Sequence, residues 1–330
     1  TLRCGVRAES LPLQSMWLEP ICGTQRWPLR PGVLQSMWSH DQERLLVVAL
    51  FTVSHAIVLW GACGLFVLAE RFGWWQSCKL PRKRKDLQPS TPANQSLNKA
   101  AIGEQVLGTV VVVPLIVYLL YPALKQLGIE VCDKAPPPLA RQLLEMAGMV
   151  VGCDFLFYWT HRALHQPPFY RLLHKTHHEF RATTVWASEY FGVVDFVLNV
   201  LPGVLPALAM RSHLETLLMF TALRMWQTVQ SHSGFDLPYL RFDPMDNCPG
   251  MTEFLGMAAV SFPFYGGAHR HDFHHSHNAG CYSDFLPFWD WLCGTDRHYK
   301  AFWEREQQEH YQRWHPRRVS CWGQSTRYHT

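Results

Sequence analysis

Long uncharged runs alternate with short polar segments along this chain. The run from Leu45 to Ala69 carries no charged residue, and about 20 helical residues suffice to cross the hydrocarbon core of a membrane. Similar runs occupy residues 105–124 and about 143–159, and two more, at 196–210 and 214–229, fit an up-and-back helical hairpin. A span must satisfy its backbone hydrogen bonds internally, so these runs predict helices. We therefore expect an all-α integral membrane protein with roughly four transmembrane helices in a bundle.

The polar segments divide the chain into parts. The segment after the first run is basic and contains Lys79, Arg82, Lys83, Arg84 and Lys85, which predicts a loop on the cytosolic side. We expect a poorly ordered N-terminal segment at 1–43, transmembrane helices 1 and 2 at 44–140 with the basic loop at 71–101, a histidine-rich domain at 141–300 and a C-terminal tail at 301–330. Counting the crossings from the basic loop places the histidine clusters on its side of the membrane. The fold class thus includes a cytosolic, histidine-rich cap.

Composition narrows the class of protein. Charged residues make up 17% of the chain and aromatic residues 13%, including 14 Trp. Soluble domains usually have about 25% charged residues, so both values favour lipid surroundings. The net charge of +4 is small for 330 residues and indicates no nucleic-acid partner. The ten cysteines form no CxxC pair, which argues against a zinc ribbon or a disulfide scaffold.

Histidine carries the strongest chemical signal. Many of the 18 histidines fall into three clusters: His161 and His165; His174, His177 and His178; and His271, His274 and His275. Residues spaced i, i+3 and i+4 share one helix face, so each cluster can direct its imidazoles into a common cavity. A structural zinc ion takes four ligands, so eight histidines imply two metal ions. Imidazole binds iron, copper, nickel and zinc alike, and ligand type alone leaves the metal open.

These clusters carry a family resemblance. The segments Trp159–Phe180, His232–Asp236 and His269–His275 together resemble the fatty acid hydroxylase and sterol desaturase superfamily. Within it, the chain is most similar to C4-methylsterol oxidases and fatty acid hydroxylase domain-containing proteins. The resemblance covers roughly residues 140–300 and ends in Trp289-Asp290 and Cys293-Gly294-Thr295-Asp296, which are similar to closing elements of the family.

The resemblance implies a non-heme di-iron hydroxylase or monooxygenase of lipid metabolism, such as sterol biosynthesis. It further implies two iron ions at the cytosolic ends of a membrane bundle, O₂ as co-substrate, and electrons from NAD(P)H through cytochrome b5 or its reductase. The lipid substrate would be a sterol, a fatty acyl chain or a sphingolipid. With no secretory signal evident, family and topology point to a multi-pass protein of the endoplasmic reticulum membrane.

Further residues are candidates for this centre. His232 matches an isolated histidine of the family and is a ninth predicted ligand, while His269 and His277, which flank the third cluster, are weaker candidates. Asp154 and Asp272 are candidate hydrogen-bond acceptors for ligating imidazoles, with salt bridges to neighbouring arginines as the alternative. We expect His55, in the middle of the first run, to face another helix and not a metal.

One departure leaves the substrate open. Many C4-methylsterol oxidases have Ala-His-Pro after Glu-Tyr, whereas this chain has Phe191-Gly192-Val193 after Glu189-Tyr190. Hydroxylation, as opposed to desaturation, rests on the resemblance alone. The alternative function is that of a non-catalytic membrane protein that binds metal and acts as a lipid sensor or signalling partner.

Overall fold

The computed structural model describes residues 40–80, 88, 90–127, 136–237 and 266–314. Its longer helices are α1 (His40–Phe72), α2 (Pro92–Leu107), α3 (Val113–Gln126), α4 (Leu139–Leu164), α5 (Val193–Met210), α6 (Leu214–His232), α7 (Gly267–His277), α8 (Phe288–Cys293) and α9 (Arg297–Trp314). Short helical turns occupy Gln76–Cys78, Gly108–Val112, Pro167–Phe169, Tyr170–His174, His177–Glu179 and Val185–Glu189. These ranges contain no strand beyond an isolated bridge between Lys79 and Phe235. The predicted all-α class is confirmed.

Four helical segments are long and apolar enough to cross a membrane: Asp41–Phe72, Pro92–Gln126, Leu139–Leu164 and Val193–Met210. Their number agrees with the prediction. The predicted arm at 214–229 is not among them, because α6 carries polar side chains such as Glu215, Gln227 and Gln230, which are buried. It packs against α1, α4 and α5. The helix is thus surrounded by protein and needs no apolar surface towards lipid.

The second span is one long helix with a local irregularity. A π-helical turn at Gly108–Val112 joins α2 to α3, directly before Pro114. Proline lacks a backbone N–H and crowds the preceding turn, and a wider turn accommodates both defects. The helix begins at Pro92, where the hydroxyl of Thr91 accepts a hydrogen bond from the Asn94 N–H at 3.3 Å. The predicted loop at 71–101 is therefore wrong over 92–101; residues 82–85 lie outside the described part of the chain.

The spans α4 and α5 approach closely at two glycines. A Cβ atom added at Gly152 would lie 3.0 Å from the Pro206 ring, and one added at Gly148 would lie 3.1 Å from the Met210 sulfur. Glycines four residues apart let two helix backbones come together in a membrane, where van der Waals packing replaces the hydrophobic effect. This contact fixes α5 beside the C-terminal half of α4, which carries the first histidine cluster.

The histidine clusters gather at one end of the bundle. The C-terminal parts of α1 and α6 meet there, with Phe66 packed near Val229 and Phe235, and the bridge from Lys79 to Phe235 closes the same end. Residues 1–39 and 315–330 lie outside the described chain, while 40–43 begin α1. Residues 301–314 of the predicted C-terminal tail belong to α9, where Phe302 packs against Phe273 of α7.

Candidate metal centre

Nine histidines form two groups, each with its candidate ligand nitrogens within 4.8 Å of one another. Group one is His161, His165, His174, His178 and His274, and group two is His177, His232, His271 and His275. These are the eight histidines of the three clusters together with His232. The structure thus brings all nine predicted ligands together, and it divides them into two candidate sites.

Pairs of histidines spaced i, i+4 stay together. His161 and His165 at the end of α4, and His271 and His275 on α7, each belong to one group, because residues at this spacing share a helix face. His174 and His178 also share a group, although they lie in two successive short turns. His177 and His178 are neighbours in sequence, yet they belong to different groups. The second and third clusters therefore each contribute to both sites.

Hydrogen bonds hold the rings by their outer nitrogens. Six Nδ1 atoms lie next to an oxygen: His161 with Tyr282 O (2.9 Å), His174 with Asp195 Oδ2 (2.8 Å), His177 with Tyr190 O (3.3 Å), His232 with Thr228 O (2.7 Å), His274 with Gly280 O (2.6 Å) and His275 with Phe180 O (2.8 Å). A carbonyl or carboxylate oxygen only accepts, so each of these Nδ1 atoms carries the proton and donates. The tautomer leaves Nε2 with a free lone pair, as metal coordination requires.

The inner nitrogens fit a metal. In group one, the Nε2 atoms of His165, His174 and His274 are buried with no hydrogen-bond partner among the described residues. In group two, Nε2 of His271 lies 2.8 Å from that of His232 and 3.2 Å from that of His275. Two nitrogens bound to one ion at about 2.1 Å are about 3.0 to 3.4 Å apart for bond angles near 90° to 109°. The 3.2 Å separation lies in this range and the 2.8 Å separation just below it, so these facing lone pairs have close to the spacing of ligands on one ion.

Burial favours the neutral form of several of these imidazoles. It lowers the pKa of His232 to about 4 and lowers the pKa values of His165, His178, His274 and His275, with the neighbouring imidazoles adding to the effect for the last four. A neutral imidazole is the form that binds a metal ion, so the groups are ready to bind at neutral pH.

Asp195 is a candidate site residue that the sequence did not reveal. Its carboxylate is fully buried, accepts the proton of His174 Nδ1 at 2.8 Å, and is held by the Asn199 side-chain amide at 2.9 Å. A carboxylate acceptor orients a ligating imidazole and raises its basicity. The available signal was a lone acidic residue at the start of an apolar run, beside Phe196.

Asp154 and Asp272, which the sequence suggested as partners of ligating imidazoles, accept hydrogen bonds from loop residues. Asp154 Oδ1 accepts the backbone N–H groups of residues 284–286 at 2.8 to 3.2 Å, and Asp290 accepts those of Tyr282 and Ser283. Together they fix the loop whose Tyr282 carbonyl orients His161. Asp272 accepts two hydrogen bonds from Thr183 and ties α7 to the segment after the second cluster. The sequence suggested that Asp154 accepts a hydrogen bond from a ligating histidine. Its partners are instead backbone N–H groups, so this prediction is wrong.

The two weaker candidates lie outside both groups. His269 packs on Trp303 with ring centroids 4.3 Å apart, and its Nδ1 lies 3.2 Å from the Tyr299 hydroxyl. His277 is exposed, stacks on Phe273 and pairs with Ser276. Neither is placed to share a metal ion with the nine.

An apolar cavity leads to the two groups. It is lined by α1, α3, α4, α5 and α6 and reaches His161 and His174 of group one and His177, His232 and His271 of group two. Along α6 its lining runs from Leu217 to His232, a distance of roughly 22 Å at the rise of an α-helix. Most of its wall is hydrocarbon. A long lipid lying along the bundle would therefore reach the histidines with one end.

Comparison with known proteins places this site in a family. Residues 146–295 match the fatty acid hydroxylase family model. A very-long-chain aldehyde decarbonylase from Oryza sativa is 31% identical over 279 residues, which cover 82% of this chain and 94% of that protein. The chain belongs to the fatty acid hydroxylase and sterol desaturase superfamily.

Other relatives have methylsterol names. A putative methylsterol monooxygenase from Dictyostelium discoideum is 30% identical, with 79% of this chain and 87% of that protein covered. Methylsterol monooxygenase erg25A from Aspergillus fumigatus is 29% identical, with 82% and 86% covered. No solved structure matches. The predicted family and the predicted class of enzyme, an oxygenase, are confirmed. Its candidate spans make this family member a multi-pass membrane protein.

Proposed function

We propose that this chain is an O₂-dependent, non-heme di-iron enzyme that hydroxylates a C–H bond of a lipid. The observation that carries the proposal is the pair of histidine groups at one end of an apolar cavity whose lining follows α6 for roughly 22 Å. The nine candidate nitrogens, five in one group and four in the other, exceed the four ligands of one tetrahedral ion, which favours two ions.

Iron is proposed because the family performs oxygen chemistry. Imidazole suits several metals, but hydroxylation by O₂ needs one that changes its oxidation state. When bound, the two iron ions would supply the reduction and cleavage of O₂. The net reaction inserts one oxygen atom into the C–H bond and releases the other as water, consuming two electrons and two protons. The electrons would come from NAD(P)H through a separate cytochrome b5 or reductase.

The residues of this chain position and shield the reaction. The outer hydrogen bonds to Asp195 and to main-chain carbonyls hold the imidazoles in the ligating tautomer. Apolar side chains such as Phe51, Val117 and Leu120 line the cavity and keep water from the lipid. The substrate would be a sterol or a fatty acyl or sphingolipid chain, a choice supported by the relatives' names and by the shape of the cavity.

We further propose the endoplasmic reticulum membrane, with the histidine end in the cytosol. Lys79 lies at the histidine end through its bridge to Phe235, and the sequence continues into the basic residues Arg82 to Lys85. Positive charge flanking a span favours the cytosolic side.

The test is to express the chain in a host lacking related oxygenases, profile its sterols, fatty acids and sphingolipids, and measure the bound metal. We expect a hydroxylated lipid with the wild type, about two iron ions per chain, and no product from His274→Ala. Chain-shortened hydrocarbon in place of an alcohol would point to aldehyde decarbonylation. Redox-silent metal and no product would instead support the sensor or signalling alternative.

A further inference from the structure

A buried polar pair interrupts the apolar wall of the cavity. His55 of α1 and Glu189, at the end of the turn Val185–Glu189, line the cavity with Nε2 and Oε1 2.9 Å apart. Their side chains are 7% and 9% exposed. Neither belongs to the two histidine groups. The sequence predicted that His55 faces another helix, and its partner here is Glu189 of the 3₁₀-helical turn Val185–Glu189.

The pair lies near the metal end of the cavity. Glu189 directly precedes Tyr190, whose carbonyl oxygen accepts the proton of His177 Nδ1 at 3.3 Å. The next residue, Phe191, stacks on the His177 ring at 4.5 Å. Consecutive Cα atoms are about 3.8 Å apart, so the Glu189 backbone is within about 10 Å of the His177 ring. A lipid atom held by Glu189 would bring carbons a few bonds away to group two.

Stability alone does not account for such a pair. Removing two polar groups from water costs about as much as their mutual attraction returns, and apolar residues of similar size often do as well. The other charged pair of the cavity is different: Arg224 donates to Asp284 at 3.2 Å and to the carbonyl of Asn199 at 2.8 Å, so protein groups use its donors. His55 contacts one oxygen of Glu189, and the carboxylate that lines the cavity can accept further hydrogen bonds.

The chemistry of the pair selects a hydrogen-bond donor. A carboxylate has two oxygens with about four lone-pair sites, and His55 occupies one of them. An aldehyde or ester oxygen only accepts hydrogen bonds, and so does a fatty acid carboxylate, so none of them can donate to Glu189. A hydroxyl group donates its proton and carries no charge, so it fits.

We propose that Glu189, oriented by His55, accepts a hydrogen bond from a hydroxyl group already present on the lipid substrate. This contact determines specificity and sets the carbon to be oxidised within a few bonds of that hydroxyl. The position of oxidation rests on the proposed function; the preference for a hydroxylated lipid does not.

The test is therefore a binding measurement. Protein in lipid nanodiscs is equilibrated with two equimolar mixtures, cholesterol with its 3-deoxy analogue and stearyl alcohol with octadecane. The lipids retained are counted by mass spectrometry against empty nanodiscs. We expect the wild type to favour the hydroxylated member of at least one mixture by roughly 10- to 100-fold, the range for a hydrogen bond to a charged group.

The variant is the double change His55→Leu with Glu189→Leu, since replacing both partners with apolar groups of similar shape leaves no unpaired buried charge. We expect it to keep its metal and its apolar binding but to lose the preference for the alcohol. The matched control is Asn98→Ala, which removes the contact from Asn98 to Thr184 beside the same turn and should keep the preference.

Three results would overturn the proposal. One is a wild type without preference in either mixture, and another is a double variant that prefers the alcohol as strongly as the wild type. The third is that the control variant Asn98→Ala loses the preference for the alcohol as fully as the double variant does, which would show that the effect comes from the fold of the turn. An active enzyme with any of these results would refute the role of Glu189 and leave the proposed function standing. An inactive enzyme that retains the preference would do the reverse.

Discussion

The two histidine groups differ in what stands behind their rings. In group one, His174 is backed by the Asp195 carboxylate, and His161 and His274 by carbonyls of the 280–282 loop. In group two, His232 and His275 are backed by main-chain carbonyls of α6 and of Phe180. Three of the four histidines of group two line the cavity, against two of the five in group one.

This difference suggests that group one binds its metal ion more tightly and that group two is more accessible to the lipid. Group one has more candidate ligands and a buried carboxylate, which raises the basicity of its imidazole. We expect it to hold its ion more tightly. Group two has fewer ligands and faces the lipid, so it is the side at which we expect the reacting carbon.

The largest effects should come from removing one histidine of each group. We expect His274→Ala, which leaves four candidate ligands in group one, to weaken binding of that ion, and His177→Ala, which leaves three in group two, to lose its ion, so that the second variant keeps about one of about two ions. Turnover should become undetectable in both. Metal analysis and product profiling measure this, with the exposed His298→Ala as control. Full metal content in both variants would refute the two-site arrangement.

The next largest effect tests the carboxylate. Asp195→Asn keeps the shape but removes the charge that backs His174, and we expect about 10- to 100-fold weaker metal binding at group one. A titration with a competing chelator should show only the tighter of two phases weakening. The control is Glu43→Gln, which removes a carboxylate paired with Lys125 away from the histidines. Equal weakening of both phases would show that the groups are not independent.

Acid should destabilise the metal-free protein through both groups. Burial lowers the pKa of His232 to about 4 and the pKa values of His178 and His274 as well, whereas an unfolded histidine titrates near 6.5. The unfolded chain thus binds more protons below pH 6.5, and the free energy of unfolding falls as pH drops from about 6.5 towards 4. The slope is about 1.4 kcal/mol per pH unit for each such histidine.

Denaturant unfolding at several pH values measures that slope. His232→Gln should make it shallower by about one proton. A free energy of unfolding that stays constant from about pH 6.5 to 4.5 would contradict the buried, neutral state of these rings.

The smallest effects belong to the histidines outside both groups. His277→Gln should change the free energy of unfolding by no more than about 0.5 kcal/mol, as is usual at exposed positions. His269→Gln should cost about 1 kcal/mol, because it removes a hydrogen-bonded contact with Tyr299. Neither should change the metal content; a lost ion in either variant would return that histidine to the ligand set.

Particular residues show how far sequence patterns reach. The i, i+4 spacing of His161 and His165 predicted a shared metal, because helix periodicity is local. The same logic did not separate His177 from His178, since their division depends on which rings face them from α6 and α7. Asp195 escaped prediction because its partner His174 is 21 residues away.

The sequence by itself determined the apolar helices, the family and the set of nine candidate ligands, because hydrophobic runs and the spacing of histidines are local properties of the chain. Only the tertiary structure decided the partition into two groups, the Asp195 contact and the place of the pair His55 and Glu189 in the cavity. The pair joins residues 134 positions apart. Such contacts depend on how helices pack, and packing is a property of side chains that meet across the bundle.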